Sequence, residues 1–473
     1  MRNQRQQLHA RIAAAIESRF PEIVDTQPEW VAQHCDEAGL SEKATQYWRA
    51  AGEQATRRAA NVEAIEHFRR ALLRNAERPA SPESAQTELA ILSQLGPALM
   101  TVQGWATPEV GEVLERATVV AKQLETSRDL ASPLTSLWLF RFTRGELDRA
   151  DQISDEIFRI AGELNDPEIV LQAHHAKFPM RWLRGLHLEA SKHIADCIAL
   201  YDEQRHARHR YHYMGHDPAV CAMTIGASVK WALGYPVQAG DMEHTGLALA
   251  RKLKHAPSLA HALYFNTESQ LLRRDIASVA ATARELLTIS QEYSLAQFRA
   301  WALIALGWAL VHLGEVSEGL TRLREGLAQL NKLGTRHWVP RAKTALAEAY
   351  LAAGHYDEGL DEVCEAMNSA REIGVGVDLP RLHLLRGKLL VHVPGRQTET
   401  ADSCFRSAFD TADEQGARGW ALRAMVLMAR LLAERGERIR AYDLLKPIYA
   451  RFTEGFDTPD LKEAKGLLDA LES

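Results

Sequence analysis

The sequence predicts an all-α protein built from stacked helical hairpins. Helix starts are marked by a capping residue followed by proline at the first helical position, as in Ser81-Pro82 and Asp166-Pro167. Apolar residues recur at spacings of three and four, as at Leu303, Leu306 and Leu310, which is the period of an amphipathic helix. Because no run of alternating apolar and polar residues stands out, we predict no strands.

A repeat supports the stacking. Trp48 and Gly52 are followed by Ala64, Phe68 and Ala71, and the 12 residues from Gly52 to Ala64 match the small-residue positions of a tetratricopeptide hairpin. Two antiparallel helices joined by a tight turn need small side chains where they cross, flanked by larger apolar ones. Gly52 and Ala64 are the predicted crossing points.

Later copies keep a glycine in the turn and a small residue five positions on. The pairs are Gly145 with Ala150, Gly185 with Ala190, Gly234 with Ala239, Gly314 with Gly319, Gly354 with Gly359 and Gly436 with Ala441. Such units bury their apolar faces only against their neighbours, so we predict tetratricopeptide-like α-hairpin repeats stacked into a right-handed superhelix, an α-solenoid. Its concave face is the expected binding surface.

The predicted order along the chain has three parts. Residues 1–40 form lead-in helices, residues 41–452 form the repeat array, and residues 453–473 form a C-terminal capping helix. A chain of 473 residues exceeds the roughly 250–300 at which a single core stops growing, which also favours an elongated array.

Composition excludes several classes of function. With 56 Lys and Arg against 62 Asp and Glu, the formal charge is −6 and the signs are interspersed, so we predict no nucleic-acid partner. The longest apolar stretches fall far short of the ~20 residues that span a bilayer, so we predict no membrane segment. The N-terminus is polar where a secretory signal would be apolar, so we expect a cytoplasmic protein. The sequence does not indicate an oligomeric state.

Several segments carry a family resemblance, namely residues 8–12, 19–22, 61–65, 215–220 and 452–465. They resemble the C-terminal tetratricopeptide region of bacterial multidomain proteins that join a class III adenylate/guanylate cyclase to an AAA/STAND-type ATPase. The resemblance implies that residues 1–40 correspond to the end of a winged-helix segment linked to the ATPase. It also implies a cyclase or ATPase as a possible protein partner.

No catalytic motif accompanies this resemblance. The Gly387-Lys388 pair lies inside an apolar helical pattern and has no glycine five residues before it, so it is not a phosphate-binding loop. We predict a packing role for Gly387. We expect no enzyme activity, no catalytic residue and no cofactor.

His206, His209, His212 and His216 form a histidine cluster within 11 residues, and two or three such imidazoles can bind a metal. Metal sites usually take a ligand from elsewhere in the fold, and the neighbouring arginines repel a cation. We therefore predict no metal, and interpret the cluster as a connecting segment that packs over or into the superhelix, or as a solvated loop.

The candidate binding residues lie near the ends of predicted first helices. Trp182 and Trp231 each stand three residues before a turn glycine and are accompanied by basic residues. A cationic, aromatic groove suits an acidic peptide tail or another anionic ligand. The predicted partner-binding residues are Arg141, Arg144, Arg181, Trp182, Arg184, Lys230 and Trp231.

The sequence thus predicts a non-catalytic repeat module that binds a protein or small ligand. One alternative is the regulatory C-terminal part of a cyclase-ATPase signalling protein. A second is the repeat sensor of an ATPase-type transcriptional regulator.

Overall fold

The computed structural model describes residues 2–124, 127–393 and 400–472, and all regular secondary structure within these ranges is helical. The predicted all-α solenoid is confirmed. The helices are α1 (Arg2–Arg19), α2 (Pro21–Thr26), α3 (Pro28–Ala38), α4 (Ser41–Arg57), α5 (Asn61–Ala76), α6 (Pro82–Gln103), α7 (Pro108–Gln123), α8 (Ser127–Thr143), α9 (Leu147–Leu164), α10 (Pro167–Leu183), α11 (His187–Leu200), α12 (His209–His212), α13 (Pro218–Ala232), α14 (Pro236–Leu253), α15 (Ala256–Leu272), α16 (Ile276–Glu292), α17 (Ala296–His312), α18 (Val316–Lys332), α19 (Val339–Ala353), α20 (Tyr356–Ile373), α21 (Leu379–His392), α22 (Ala401–Glu414), α23 (Arg418–Glu434), α24 (Arg438–Tyr449) and α25 (Pro459–Glu472).

Successive helices pair as antiparallel hairpins, from α4 with α5 to α23 with α24. The predicted crossing point of the first pair is confirmed, because a Cβ added at Gly52 would lie 2.5 Å from the ring of Phe68. Gly387 is likewise a packing glycine, since a Cβ there would lie 2.4 Å from Phe405.

From α8 onward, the first helix of each pair is more deeply buried than the second. In α17 most residues from Gln297 to Val311 are buried, whereas α18 buries one stripe at Gly319, Leu320, Leu323, Gly326 and Leu330. This is the difference between a helix packed on all sides and an amphipathic outer helix. The first helices therefore form the inside of the superhelix.

The superhelix winds tightly enough for successive turns to touch. The backbone N–H of Arg336 donates to the carbonyl oxygen of Thr143 at 2.9 Å, and that of Gly376 donates to Leu183 at 2.9 Å. Farther along, the N–H of Val237 donates to Glu454 Oε1 at 2.8 Å. The concave face is consequently an internal lumen rather than an open groove.

Both ends of the array are covered by helices. At the start, α1 packs on α3, and at the end α25 packs on α23 and α24 through its buried apolar residues. The terminal residues 1 and 473 lie outside the described residues, and the predicted boundaries at 40/41 and 452/453 stay predictions. Within the described ranges, no helix combines the length and apolarity needed to cross a bilayer.

Candidate functional site

The lumen has a filled part and an open part. The filled part lies between α8, α10, α13, α15, α17 and α19, where aromatic rings and imidazoles leave a space of only about 30 Å³. Its rings include Trp138, Phe142, Trp182, Phe265 and Trp338.

The open part is a cavity of about 480 Å³, which we call the lumen cavity. Residues from α15, α17, α19, α21, α23 and α25 line it. This volume lies within the range of sites that hold small ligands or short segments of a partner. The lumen cavity is therefore the candidate functional site.

Charged side chains dominate its wall. The basic residues are Arg274, Arg381, Lys388, Arg423 and Arg430, and the acidic ones are Glu348, Asp460 and Glu463. The wall thus carries more basic than acidic groups, which favours an anionic occupant.

Glu348 is held by a bidentate pair. Arg381 Nε donates to its Oε1 at 2.7 Å and Nη2 to its Oε2 at 2.6 Å, while Trp308 Nε1 donates to Oε2 at 2.8 Å. Burial alone would raise the pKa of Glu348, but Arg381 and the indole N–H outweigh it, so the pKa is lowered. Glu348 therefore stays ionised, and the charge of Arg381 balances it.

The two acids of α25 are also paired. Asp460 accepts from Arg423 at 2.8 Å and contacts Arg274 at 2.8 Å. Glu463 contacts Arg274 at 2.6 Å and Arg430 at 2.8 Å. All three acids of the wall thus form ion pairs with arginines.

Lys388 differs from the arginines because no acid within the described residues forms an ion pair with it. Its side chain is exposed to the water of the lumen cavity. Desolvation by the surrounding wall lowers the pKa of Lys388; the charge of Glu348 opposes this shift, and Arg423 and Arg274 add to it. An anionic group in the cavity would supply the missing partner.

Two indoles complete the wall, Trp308 and Trp420. The guanidinium of Arg423 lies 5.0 Å from the Trp420 ring centroid and 4.7 Å from that of Trp231. These cation–π contacts orient Arg423 toward the cavity wall.

The sequence-predicted tryptophans lie in two different aromatic clusters. Trp182 is 2% exposed and packs on Phe265 and Trp338 in the filled lumen. Trp231 is 6% exposed and packs edge-on against Trp420, behind the wall of the lumen cavity. The structure does not bring the two indoles together on one surface.

The basic residues predicted with them are mostly ion-paired. Their contacts are Arg141 with Glu115 and Glu146, Arg144 with Glu146, Arg181 with Asp151 and Glu189, and Arg184 with Asp148, while Lys230 lies over the Tyr235 ring. Acids therefore offset most of the positive charge of this surface. A partner-binding role for the seven residues stays a prediction.

Sequence reasoning missed the residues of the lumen cavity. A signal was present, because Arg381 and Lys388 are seven residues apart on α21, and Arg423 and Arg430 are seven apart on α23. Seven residues are two helical turns, so each pair shares a helix face. Basic pairs on otherwise apolar first helices mark a water-accessible lumen.

The histidine segment packs into the superhelix. His206, His209 and His216 are 2%, 1% and 4% exposed, so the solvated-loop alternative is wrong. The side chain of His212 lies outside the described residues.

Comparisons with known proteins support the fold. A model of the tetratricopeptide repeat family matches residues 300–325 and 340–363, which fall on α17 to α20. A Rap protein complexed with competence and sporulation factor superposes with a TM-score of 0.53, at 13% identity, over 83% of this chain and all of that one. The chain has a tetratricopeptide-type repeat fold. This is the fold of a protein-interaction or regulatory repeat module.

Two further similarities extend over most of the chain. An uncharacterized protein of Rhizobium meliloti (strain 1021) is 26% identical over 433 residues, covering 91% of this chain but 42% of the relative. The chain therefore spans less than half the length of that curated relative. A STAND protein with a tetratricopeptide repeat sensor from Pyrococcus horikoshii aligns with 91% of this chain and 73% of its own, at 13% identity and a TM-score of 0.37.

Proposed function

We propose that this chain is a non-catalytic tetratricopeptide module that binds an acidic segment of a protein partner in the lumen cavity. The observation that carries the proposal is Lys388, a cation without an ion-pair partner among the described residues, inside a cavity of about 480 Å³. Because the acids of the wall are already paired with arginines, the surplus positive charge is available to a ligand.

The cavity supplies two kinds of contact. Lys388 forms a charge-assisted hydrogen bond with a carboxylate of the ligand. Trp308 and Trp420 offer apolar surface to the neighbouring side chain. A short acidic and apolar segment satisfies both contacts, and the cavity is too small for a folded domain.

The test uses an array of short fluorescent peptides that vary in the number of acidic residues and end in a free carboxylate or an amide. Binding to the purified chain is measured by fluorescence polarisation at two salt concentrations. We expect acidic peptides to bind, more weakly at high salt, and Lys388→Gln to weaken binding up to ~10-fold, because it removes the charge that pairs with the peptide carboxylate.

The matched control is Lys332→Gln, which removes the same charge from the exposed face of outer helix α18. It should leave peptide affinity unchanged. Equal affinities of the wild type and Lys388→Gln, or no binding of any acidic peptide, would show that the lumen cavity is not the site.

We further propose that binding regulates a cyclase or ATPase, encoded in the same or a separate polypeptide, and that the module acts in the cytoplasm. The family resemblance and the greater length of the Rhizobium meliloti relative support this proposal. A sensor of an ATPase-type transcriptional regulator is the alternative. ATP hydrolysis and cyclic-nucleotide formation by the candidate enzyme should change with wild-type module and not with Lys388→Gln.

A further inference from the structure

Two histidines and a cysteine meet in the filled part of the lumen. His175 lies on α10, His216 lies just before α13, and Cys221 lies in the first turns of α13. All three are buried, and their ligand atoms lie within 4.8 Å of one another. The site is separate from the lumen cavity.

Hydrogen bonds determine which nitrogen of each ring carries the proton. His216 Nδ1 lies 3.0 Å from the carbonyl oxygen of Met214, which can only accept, so Nδ1 is the donor. His175 Nδ1 lies 3.1 Å from Gln172 Oε1, also an acceptor. The orientation of Gln172 follows from His209, whose Nε2 lies 3.6 Å from Glu168 Oε2 and so carries the proton. His209 Nδ1 therefore accepts from Gln172 Nε2 at 2.8 Å, which leaves Gln172 Oε1 facing His175.

The remaining nitrogens then face each other without a proton. His175 Nε2 and His216 Nε2 are 3.2 Å apart, and each carries a lone pair. Two opposed lone pairs in a dry site repel each other unless a cation lies between them.

The geometry suits a metal ion. Two imidazole nitrogens of a tetrahedral zinc site, each about 2.0–2.1 Å from the metal, are about 3.3 Å apart. In such sites the second nitrogen of the ring usually donates to a carbonyl or carboxylate, as both rings do here to Met214 and Gln172. Cys221 adds a sulfur ligand, which selects thiophilic metals.

We propose that His175, His216 and Cys221 bind one thiophilic d¹⁰ cation, Zn²⁺ or Cu⁺. On binding, the Cys221 thiol loses its proton to solvent and the thiolate and two imidazoles donate electron pairs to the metal, with no change in oxidation state. His261 stacks on His216 with centroids 4.4 Å apart, and neither of its nitrogens has a hydrogen-bond partner. These unpartnered nitrogens make His261 a candidate fourth ligand.

Sequence spacing alone predicts no metal here, because the local histidine cluster offers no ligand from elsewhere in the fold. The structure separates His216 from that cluster and brings it beside Cys221 of α13 and His175 of α10. His175 lies 41 residues away along the chain. The missing ligands from elsewhere are therefore present.

The test uses the purified full chain, stripped of metal with a chelator and kept reduced. Co²⁺ titration should give a tetrahedral visible spectrum and a thiolate-to-cobalt charge-transfer band at one equivalent, because Co²⁺ reports zinc-type sites. Zn²⁺ should displace it, and Cu⁺ is measured in competition with a chromophoric chelator. The two titrations give the relative affinities of the site for Zn²⁺ and Cu⁺.

Two serine substitutions separate metal binding from folding. Cys221→Ser should lose the charge-transfer band and at least ~100-fold in affinity, whereas Cys35→Ser, at a cysteine buried in distant α3, should retain both. Circular dichroism checks the fold of each variant. No stoichiometric binding of Co²⁺, Zn²⁺ or Cu⁺ by the wild type, or an unchanged band in a folded Cys221→Ser, would overturn the proposal.

Discussion

At the scale of single residues, Arg341 carries a buried positive charge between the filled lumen and the lumen cavity. Its guanidinium lies 4.8 Å from the Trp182 ring and 4.7 Å from that of Trp338. It forms ion pairs with Asp378 at 2.7 Å and Glu268 at 3.4 Å. Removing one partner of such a network costs more than the network contributes, because the other charge is left buried and unpaired.

Arg341→Met should therefore lower the free energy of unfolding by about 3–5 kcal/mol, since Asp378 is only 3% exposed. Urea denaturation followed by circular dichroism measures this change. Arg336→Met is the matched control, because its ion pair with Glu372 joins side chains that are 54% and 69% exposed. That pair should contribute less than about 1 kcal/mol. Similar losses in both variants would contradict the prediction.

Residue-scale prediction from sequence succeeded where the partner is close along the chain. The Gly52 and Phe68 contact lies within one hairpin, so the spacing of the motif predicted it. The contact of Arg341 with Trp182 joins separate turns of the superhelix, and no local spacing encodes it.

At the scale of elements, the hairpin of α17 and α18 is packed so closely that the backbones of its two helices are in contact. In the crossing of α17 and α18, a Cβ added at Gly307 would lie 2.6 Å from the carbonyl oxygen of Gly319 and 2.8 Å from the nitrogen of Leu323. Backbone atoms cannot rotate away as a side chain can, so a larger residue must separate the helices.

Gly307→Ala should accordingly destabilise the chain by about 1–3 kcal/mol. Gly162→Ala, in the exposed part of α9 with nothing within 4 Å of the added Cβ, should instead stabilise it by about 0.5–1 kcal/mol through helix propensity. Thermal and urea unfolding of both variants give the comparison. A stabilising Gly307→Ala would mean that the two helices are not in backbone contact.

The hairpin of α15 and α16 lacks the turn glycine on which the repeat pattern depends. Between the turns at Gly234 and Gly314, the pair α15 and α16 is joined through Arg274, whose φ is 61°, in place of a glycine. Glycine is the expected residue at this position because a left-handed φ costs other residues more. Arg274 offsets this cost with its contacts to Asp460 and Glu463.

At the scale of the whole molecule, closing the lumen buries histidines away from water. Burial lowers the pKa of His187 to about 4 and those of His337 and His255 to about 3, from an ordinary value of 6.5. The unfolded chain then binds more protons than the folded one between pH 6.5 and pH 4. Stability therefore falls as the pH falls through this window.

We expect the free energy of unfolding to decrease by several kcal/mol between pH 7 and pH 5. His187→Leu should reduce that decrease by about 2 kcal/mol, because it removes one group that protonates only on unfolding. His244→Leu is the control, since that ring lies on the exposed face of α14 and is in water in both states. Urea midpoints across the pH range measure the slopes, and equal slopes in both variants would contradict the argument.

The sequence alone determined the helices, their hairpin pairing and the repeat class, because helix caps, turn glycines and apolar spacing act over fewer than forty residues. Tertiary structure alone decided which residues share the lumen. Contacts such as Arg336 with Thr143 and Gly376 with Leu183 depend on how many hairpins complete one superhelical turn. That number follows from the small rotation between each hairpin and the next, which is set by side-chain packing. The winding places Lys388 in a cavity and His175 beside Cys221, and no local pattern in the sequence predicts either placement.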